Sequence, residues 1–301
     1  MDILVTGASG LVGSSLVRAL EAEGHRVTAL RRVSGGASEI VPPGTAWWDP
    51  EGGTIDLGNT PIDAVVHLAG ENIASGRWTR AKKRRIRDSR VEGTQLLARA
   101  LAKRSSPPRV LVSASAVGFS GDLGEKAATE TTEPGDGFLA EVCAEWEEAT
   151  GAASDAGIRV VLLRIGVVFS AEGGALAKML LAFRLGLGGR VGSGRQYVSW
   201  IHLRDLIAII QFALEQDEIE GPLIAAAPGA VTNAELTREL GRVLHRPTLL
   251  PLPAFAARIA LGEMADELLL ASVRATPEKL LAHGFSFAFP SLAPALADLL
   301  G

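Results

Sequence analysis

Little in this chain of 301 residues supports disulfide, metal or membrane chemistry. It has one cysteine, Cys143, which excludes an internal disulfide and a cysteine-based metal cluster. Five histidines are scattered without ligand spacing, so no metal site is expected. Aromatic residues make up 5% of the chain and include a single tyrosine, Tyr197, so a phenol can act from one place only. Neither sign of charge dominates, and a net charge of −4 gives no general attraction to nucleic acid or anionic membrane. No apolar run reaches membrane-spanning length; Arg164 interrupts the best candidate, residues 160–169. The N-terminus leads straight into a strand pattern, so no secretory signal is expected and a cytoplasmic location is. What is left, 47% apolar and 21% charged, is ordinary globular composition with enough chain for one large core or two modest ones.

What is present is concentrated in the first thirty residues. Ile3-Leu4-Val5 reads as a short strand, followed by Gly7-Ala8-Ser9-Gly10-Leu11-Val12-Gly13. Leu16, Val17 and Leu20 then recur at helical spacing, and Arg26-Val27-Thr28-Ala29-Leu30 reads as a second strand. This is a βαβ unit of the kind that grips a dinucleotide. Gly7 turns the chain off the strand, Gly10 lets backbone approach a pyrophosphate, and Gly13 lets the helix pack close to the sheet. The helix N-terminus offers free N–H groups and partial positive charge to the phosphates. A site for NAD usually ends its second strand with an acidic residue for the ribose hydroxyls. Here Arg31 and Arg32 stand in that place. A guanidinium, planar and permanently charged, suits a 2′-phosphate, so NADP(H) is expected over NAD(H).

Strand-like and helix-like runs alternate through the first 170 residues. Thr45–Trp48 reads as a third strand, Ala64–Leu68 as an apolar run closing on Ala69-Gly70, and Val110–Val112 as a buried strand ending at Ser113-Ala114-Ser115. Val91, Leu96, Leu97, Ala100 and Leu101 form a helical stripe, residues 138–153 read as a helix, and residues 160–165 as another buried strand. Continuous apolar strands separated by helices predict an α/β fold, a Rossmann-type doubly wound parallel sheet covered on both faces. Its ligand is expected off the carboxyl ends of the strands. From about residue 171 glycines punctuate the chain, and Thr232-Asn233-Ala234-Glu235 fits a capping box for a helix to about Leu244. The reading is an NADP-binding domain over residues 1–170 and a smaller substrate-facing domain over residues 171–301, with strands free to cross the boundary. The basic run Arg77, Arg80, Lys82, Lys83, Arg84, Arg85, Arg87 and Arg90 reads as a solvated helix face, with Arg85 and Arg90 as candidates to supplement the phosphate grip. The expected partner is a small-molecule substrate, with neither nucleic acid nor membrane.

The ordered set Gly7-x-x-Gly10-x-x-Gly13, His67-Leu68-Ala69-Gly70, Arg90-Val91-Glu92-Gly93-Thr94 and Ser113-Ala114-Ser115 resembles the extended short-chain dehydrogenase/reductase superfamily. Trp47-Trp48-Asp49-Pro50, Gly70-Glu71-Asn72-Ile73, Arg77-Trp78, Asp88-Ser89-Arg90 and Arg195-Gln196-Tyr197-Val198-Ser199-Trp200-Ile201-His202 look like its epimerase-like branch of NADP-binding sugar-nucleotide epimerase homologues. The resemblance spans essentially the whole chain. It implies that Gly7, Ser9, Gly10, Leu11 and Gly13 line the phosphates and that Arg31 and Arg32 reach the 2′-phosphate. It further implies that Leu68, Ala69 and Gly70 pass beside the adenosine or ribose, and that Ser113, Ser115 and Ile165 border the nicotinamide. Arg90 stands where the superfamily commonly has a cofactor-contacting Asn.

One departure is plain. Enzymes of this superfamily use a Tyr and a Lys four residues later on one helix, the cation lowering the phenol pKa for proton transfer. With Glu147 as anchor, those places hold Leu139 and Cys143, and Tyr197 lies far downstream. Three readings follow: other groups move the proton, the protein binds NADP without turnover as a regulatory or interaction protein, or the substrate makes small acid/base demands. Candidate catalytic groups are Ser115, Glu141, Cys143 and Tyr197, with Glu71, Asn72, Trp78, Trp200 and His202 expected to face substrate. The leading activity is an oxidoreductase or epimerase acting on a small polar substrate, with a nucleotide-linked compound as one candidate. Cys143 on a helix with apolar neighbours reads more readily as a core thiol, Tyr197 and Trp200 read equally as packing, and His202 as a hydrogen-bonding residue at a helix start.

Overall fold

The apolar runs of the N-terminal half become neighbouring strands, and the helical stripes cover them. The computed structural model describes residues 1–33 and 45–301. In chain order come β1 (Asp2–Thr6), α1 (Leu11–Ala22), β2 (Arg26–Arg32), β3 (Trp47–Asp49), β4 (Thr54–Asp56), β5 (Ala64–His67), α2 (Arg80–Ala102) and β6 (Val110–Ala116). A 3-10 turn (Val117–Ser120), β7 (Ala127–Ala128), α3 (Phe138–Glu148), α4 (Gly151–Asp155) and β8 (Arg159–Ile165) follow. The remainder is β9 (Val167–Phe169), α5 (Gly174–Arg184), β10 (Tyr197–Val198), β11 (Trp200–His202), α6 (Leu203–Glu215), β12 (Gly221–Ala225), β13 (Val231–Thr232) and α7 (Asn233–Leu244). It closes with α8 (Ala254–Leu261), α9 (Glu263–Ala265), a π turn (Asp266–Leu270), β14 (Arg274–Ala275), α10 (Glu278–Ala282) and α11 (Leu292–Leu300).

Among the described residues the main sheet holds eight strands in the order β12-β8-β6-β5-β1-β2-β3-β4. Neighbours are parallel except β3 and β4. The order reverses at β1, with β2 and β3 on one side and β5, β6 and β8 on the other. Such a switch point opens a crevice at the carboxyl ends of β1 and β5. Alternate side chains leave a strand on opposite faces. Ile3 and Val5 pack with Leu16 and Leu20 of α1 and with Leu206, Ile209 and Ile210 of α6. Leu4 packs on the other face with Leu97 and Leu101 of α2 and Ala153 of α4.

One strand and one helix from beyond residue 170 join the first domain. β12 pairs with β8 and α6 covers β1 and β6, so residues beyond 170 complete the large sheet. A separate core of Phe169, Leu176, Leu180, Phe183, Trp200, Leu236, Leu240, Leu292 and Leu296 holds the second lobe. The helix expected over 138–153 is two, α3 and α4, and the Thr150 hydroxyl donates to the Glu147 carbonyl (2.7 Å) between them. The third strand starts at Trp47 rather than Thr45. The capping box forms as expected, Thr232 and Glu235 bonding each other's backbone.

The seating of α1 on the sheet leaves no spare room. A Cβ on Gly13 would lie 2.1 Å from the Gly7 carbonyl oxygen. Gly13→Ala should therefore cost about 1–3 kcal/mol in a urea titration, the range for overpacking a tight contact. Gly151→Ala, in α4 where nothing lies within 4 Å, should be neutral or stabilising. Equal loss in both variants would contradict this packing.

Candidate functional site

The first turn of the chain builds the floor of the site. Gly7 takes φ +67°, and a Cβ there would meet the Leu68 and Ala69 backbone at 2.9–3.0 Å. The turn after β1 and the chain leaving β5 thus lie too close to admit a side chain between them. The Thr6 hydroxyl fixes that approach by accepting from the Leu68 and Ala69 amides, both at 3.1 Å. Gly10 caps α1 without a side-chain bond, and the first turn of α1 carries no acidic residue. Its leading N–H groups and positive dipole end are left facing the crevice, which suits a phosphate.

A cleft of about 1300 Å³ opens above this turn. Its floor is Gly7–Gly10 and Leu68–Gly70; one wall is Ala29–Arg32 with Trp48, Pro50 and Glu51. The facing wall is the α2 surface of Ala81, Arg84, Arg85, Asp88, Ser89 and Glu92, with Glu71 at the rim. The volume exceeds the ~300–1,000 Å³ typical of small-ligand sites and suits an extended, two-ended molecule. Four arginines, Arg31, Arg32, Arg84 and Arg85, edge it. Arg32 contacts Glu51 at 2.7 Å and Arg85 lies 3.8 Å from Glu71.

The rim loop after β5 is pinned from below by Lys82. Its ammonium is buried and donates to Glu71 Oε1 (2.6 Å), the Asn72 carbonyl (2.6 Å) and Ser75 Oγ (2.7 Å). The Lys82 bond, with the charges of Arg85 and Arg32, holds the Glu71 carboxyl below the usual carboxylate range. Glu71 is therefore an anion at neutral pH. Asn72 is exposed and its side chain accepts from the Ala74 amide within its own loop (2.9 Å). Trp78 donates to the Ile73 carbonyl (2.8 Å) and packs edge-on against Phe138 at the start of α3.

Behind the floor runs a buried polar chain. Thr6 Oγ1 lies 2.7 Å from His67 Nδ1, His67 Nε2 lies 2.9 Å from Thr94 Oγ1, and Trp146 Nε1 donates to the same Thr94 oxygen (2.9 Å). Thr6 already accepts two backbone amides, so its own proton goes to Nδ1 and His67 carries its proton on Nε2. Burial pushes the His67 imidazole down to about 4. Beside this chain Arg90 donates to the Glu71 and Ile86 carbonyls, both at 3.1 Å, and lies over the Trp146 ring. Its guanidinium stands 3.2 Å from where a Gly70 Cβ would be.

The expected cofactor residues Gly7, Ser9, Gly10, Arg31, Arg32, Leu68, Ala69, Gly70 and Arg85 come together on the cleft, with Glu71. Leu11 turns its side chain to Gly173 and Gly174, and Gly13 lies against the turn. Ser113 is buried beside His67, with no hydroxyl partner among the described residues, and Ile165 is half-buried at the end of β8. The candidate catalytic residues line other ground. Ser115 is buried and donates to Glu147 Oε1 (2.6 Å), which also accepts from Arg164 Nε; Arg164 NH2 bonds the second oxygen, both at 2.9 Å. Burial pushes the Cys143 thiol up to about 12, so it is protonated at neutral pH. Glu141 is exposed on α3, and Tyr197 is half-buried with the Arg274 guanidinium 5.2 Å from its ring centre.

Two residues expected to face substrate are core residues instead. Trp200 is fully buried, stacked on Phe169 and donating to the Gly229 carbonyl (2.9 Å), because β11 is covered on both faces. His202 caps α6 by accepting the Arg204 amide (3.1 Å), stacks on Phe289 and lies 3.2 Å from Asp298. Residues on the cleft that the sequence reading left out are Trp48, Pro50, Glu51, Arg84, Asp88, Ser89 and Glu92, together with Lys82 beneath the rim. Lys82 had a signal: it is four residues before Ile86 on the stripe that continues to Gly93 and Leu97, all buried. Among the described residues no group of His, Cys, Asp or Glu is placed to hold a metal ion, and no helix is long and apolar enough to cross a membrane.

The neutral His67 makes stability depend on pH. A histidine at about 4 in the fold against 6.5 unfolded contributes stability above pH 6.5 that is lost as pH falls from 6.5 towards 4. The expected slope from this group is about 1.4 kcal/mol per pH unit in that window. His67→Asn should be less stable at pH 7 and show a flatter profile by that amount; an unchanged slope would mean the imidazole titrates normally in the fold.

Known proteins give this arrangement a context. Residues 3–224 match the NAD dependent epimerase/dehydratase family, and residues 252–299 match a domain of unknown function, DUF1731. An epimerase family protein of Mycobacterium bovis is 44% identical over 295 residues, covering 98% of this chain and 96% of its own. The crystal structure of human epimerase family protein SDR39U1 (isoform 2) with NADPH superposes with a TM-score of 0.89 at 36% identity, covering 100% of this chain and 99% of the human one. A nucleoside-diphosphate sugar epimerase of Corynebacterium glutamicum superposes with a TM-score of 0.80 at 37% identity, covering all of this chain and 58% of that one.

Proposed function

This chain belongs to the NAD dependent epimerase/dehydratase family, and from that premise we propose that it binds NADP(H) in the cleft over the glycine turn. The observation that carries the reading is the pair Arg31 and Arg32 at the carboxyl end of β2, lining the same cleft as the glycine turn before α1. The pyrophosphate rests on the amides at the start of α1, the adenosine runs past Leu68–Gly70, and the 2′-phosphate meets Arg31 and Arg32. Arg84 and Arg85 face it from α2. The human relative crystallised with NADPH supports the choice of cofactor.

Bound there, NADP(H) supplies a hydride donor or acceptor to an oxidoreductase or epimerase-like reaction on a small polar substrate, nucleotide-linked or related. The protein's part is to orient the two ends of the cofactor and to manage a proton. That proton takes a route unlike the Tyr–Lys pair: Leu139 and Cys143 hold those places, and Ser115 gives its hydroxyl proton to Glu147. This engagement of Ser115 by the Glu147–Arg164 pair also favours a second reading, an NADP-binding regulatory or interaction protein without turnover. Mixing the NADPH-loaded protein with a small-metabolite extract separates the two. Extract-dependent NADPH oxidation, or hydride exchange detected with isotope-labelled cofactor, identifies an enzyme; tight binding with neither identifies the binder.

Charge-assisted hydrogen bonds to a phosphate are worth about 1.5–3 kcal/mol. Arg31→Ala with Arg32→Ala should accordingly weaken NADPH about 10–100-fold while changing NADH by less than about threefold. Equal loss for both cofactors in a fluorescence titration would remove the 2′-phosphate assignment.

A further inference from the structure

The Trp47–Pro50 motif has no part in the scheme above, yet it delivers one acidic residue to the cleft. β3 runs parallel to β2 with Arg32 opposite Trp48, and the Val33 amide donates to the Trp48 carbonyl (2.9 Å). Trp48 is buried against Gly93 of α2, and Asp49 Oδ1 accepts the Gly52 amide (3.0 Å) to close the turn. Glu51 sits on that turn, three residues beyond an anchored tryptophan. The register therefore holds it across from Arg32, where one guanidinium nitrogen donates to Glu51 Oε1 at 2.7 Å.

We propose that Glu51 sets how strongly this cleft discriminates NADPH from NADH, acting as a tethered competitor of the 2′-phosphate for Arg32. The inference rests on the cofactor reading given above. Both side chains are open to solvent, 51% exposed for Arg32 and 73% for Glu51, and they meet through one guanidinium nitrogen. Such an exposed pair is weak and yields to a stronger anion. A phosphate dianion takes Arg32 with Arg31 beside it, and Glu51 is left as a like charge facing the phosphate. With NADH there is no such rival: the pair persists, and the Glu51 carboxylate accepts a hydrogen bond from the ribose 2′-hydroxyl, as acidic residues near this place do in NAD sites. One carboxylate thus weakens the phosphorylated cofactor and supports the other.

The experiment is calorimetric titration of NADPH, NADH and 2′,5′-ADP into the wild-type protein, Glu51→Gln and Arg32→Ala. Glu51→Gln keeps the side chain's size, and its exposure makes the fold insensitive to it, which a thermal melt checks. It should tighten NADPH and 2′,5′-ADP three- to tenfold and leave NADH unchanged or weaker. Arg32→Ala should reduce the preference for the phosphorylated ligands. If Arg32→Ala does so while Glu51→Gln leaves the NADPH/NADH ratio unchanged or lowers it, the role of Glu51 is overturned and the cofactor reading stands. If neither variant alters the ratio, the phosphate is not held at Arg32 and both are overturned.

Discussion

The structure depends on how closely the turn after β1 approaches the chain leaving β5. Two side chains must be missing for this: a Cβ on Gly7 would strike the Leu68–Ala69 backbone, and one on Gly13 would strike Gly7. One hydroxyl must be present, because Thr6 receives the two amides that would otherwise be buried without partners. Once that contact is made, the switch point of the sheet becomes a floor with backbone at its surface. The α1 N-terminus faces upward from it, and β2 delivers two arginines to its far edge. The buried chain through His67, Thr94 and Trp146 ties the same contact to α2 and α3, so the site and the core share their supports.

Away from the cleft, the polar groups between α3, β6 and β8 face one another. Glu147 accepts three bonds, one from Ser115 and two from Arg164, and Arg164 also lies 3.5 Å from the Phe119 ring centre. A buried ion pair so fully satisfied contributes more to a unique geometry than to stability, and breaking it from one side is costly. Here it fixes α3 against β6 and β8. α3 serves here as a packing element, burying Ala140, Val142, Trp146 and a protonated Cys143 thiol.

Much of this was legible in the sequence, and the exceptions share a cause. The βαβ unit, the apolar strands and the Thr232–Glu235 cap are local patterns, and the structure forms each of them. Lys82 was hidden in a run of exposed cations, because its burial depends on a loop from β5 folding back to supply three acceptors. Trp200 and His202 lie in a motif that suggested ligand contact; only the pairing of β11 with β9 and the cover of Phe169 and Phe289 show them as core. Glu51 acquires meaning through the β2–β3 register, and Arg164 through a glutamate seventeen residues earlier. Periodicity puts Lys82 on the buried stripe of α2, but the partners of each of these residues are set by tertiary contacts it does not encode.

The central claim is that the glycine turn, the open α1 N-terminus and the β2 arginines form one dinucleotide site. A crystal structure of the chain grown with NADPH tests it most directly. The account predicts the pyrophosphate on the first amides of α1 and the 2′-phosphate on Arg31 and Arg32, with Arg32 drawn away from Glu51. A dinucleotide bound elsewhere, or bound here with its adenosine end away from β2 and the Arg32–Glu51 contact intact, would contradict it.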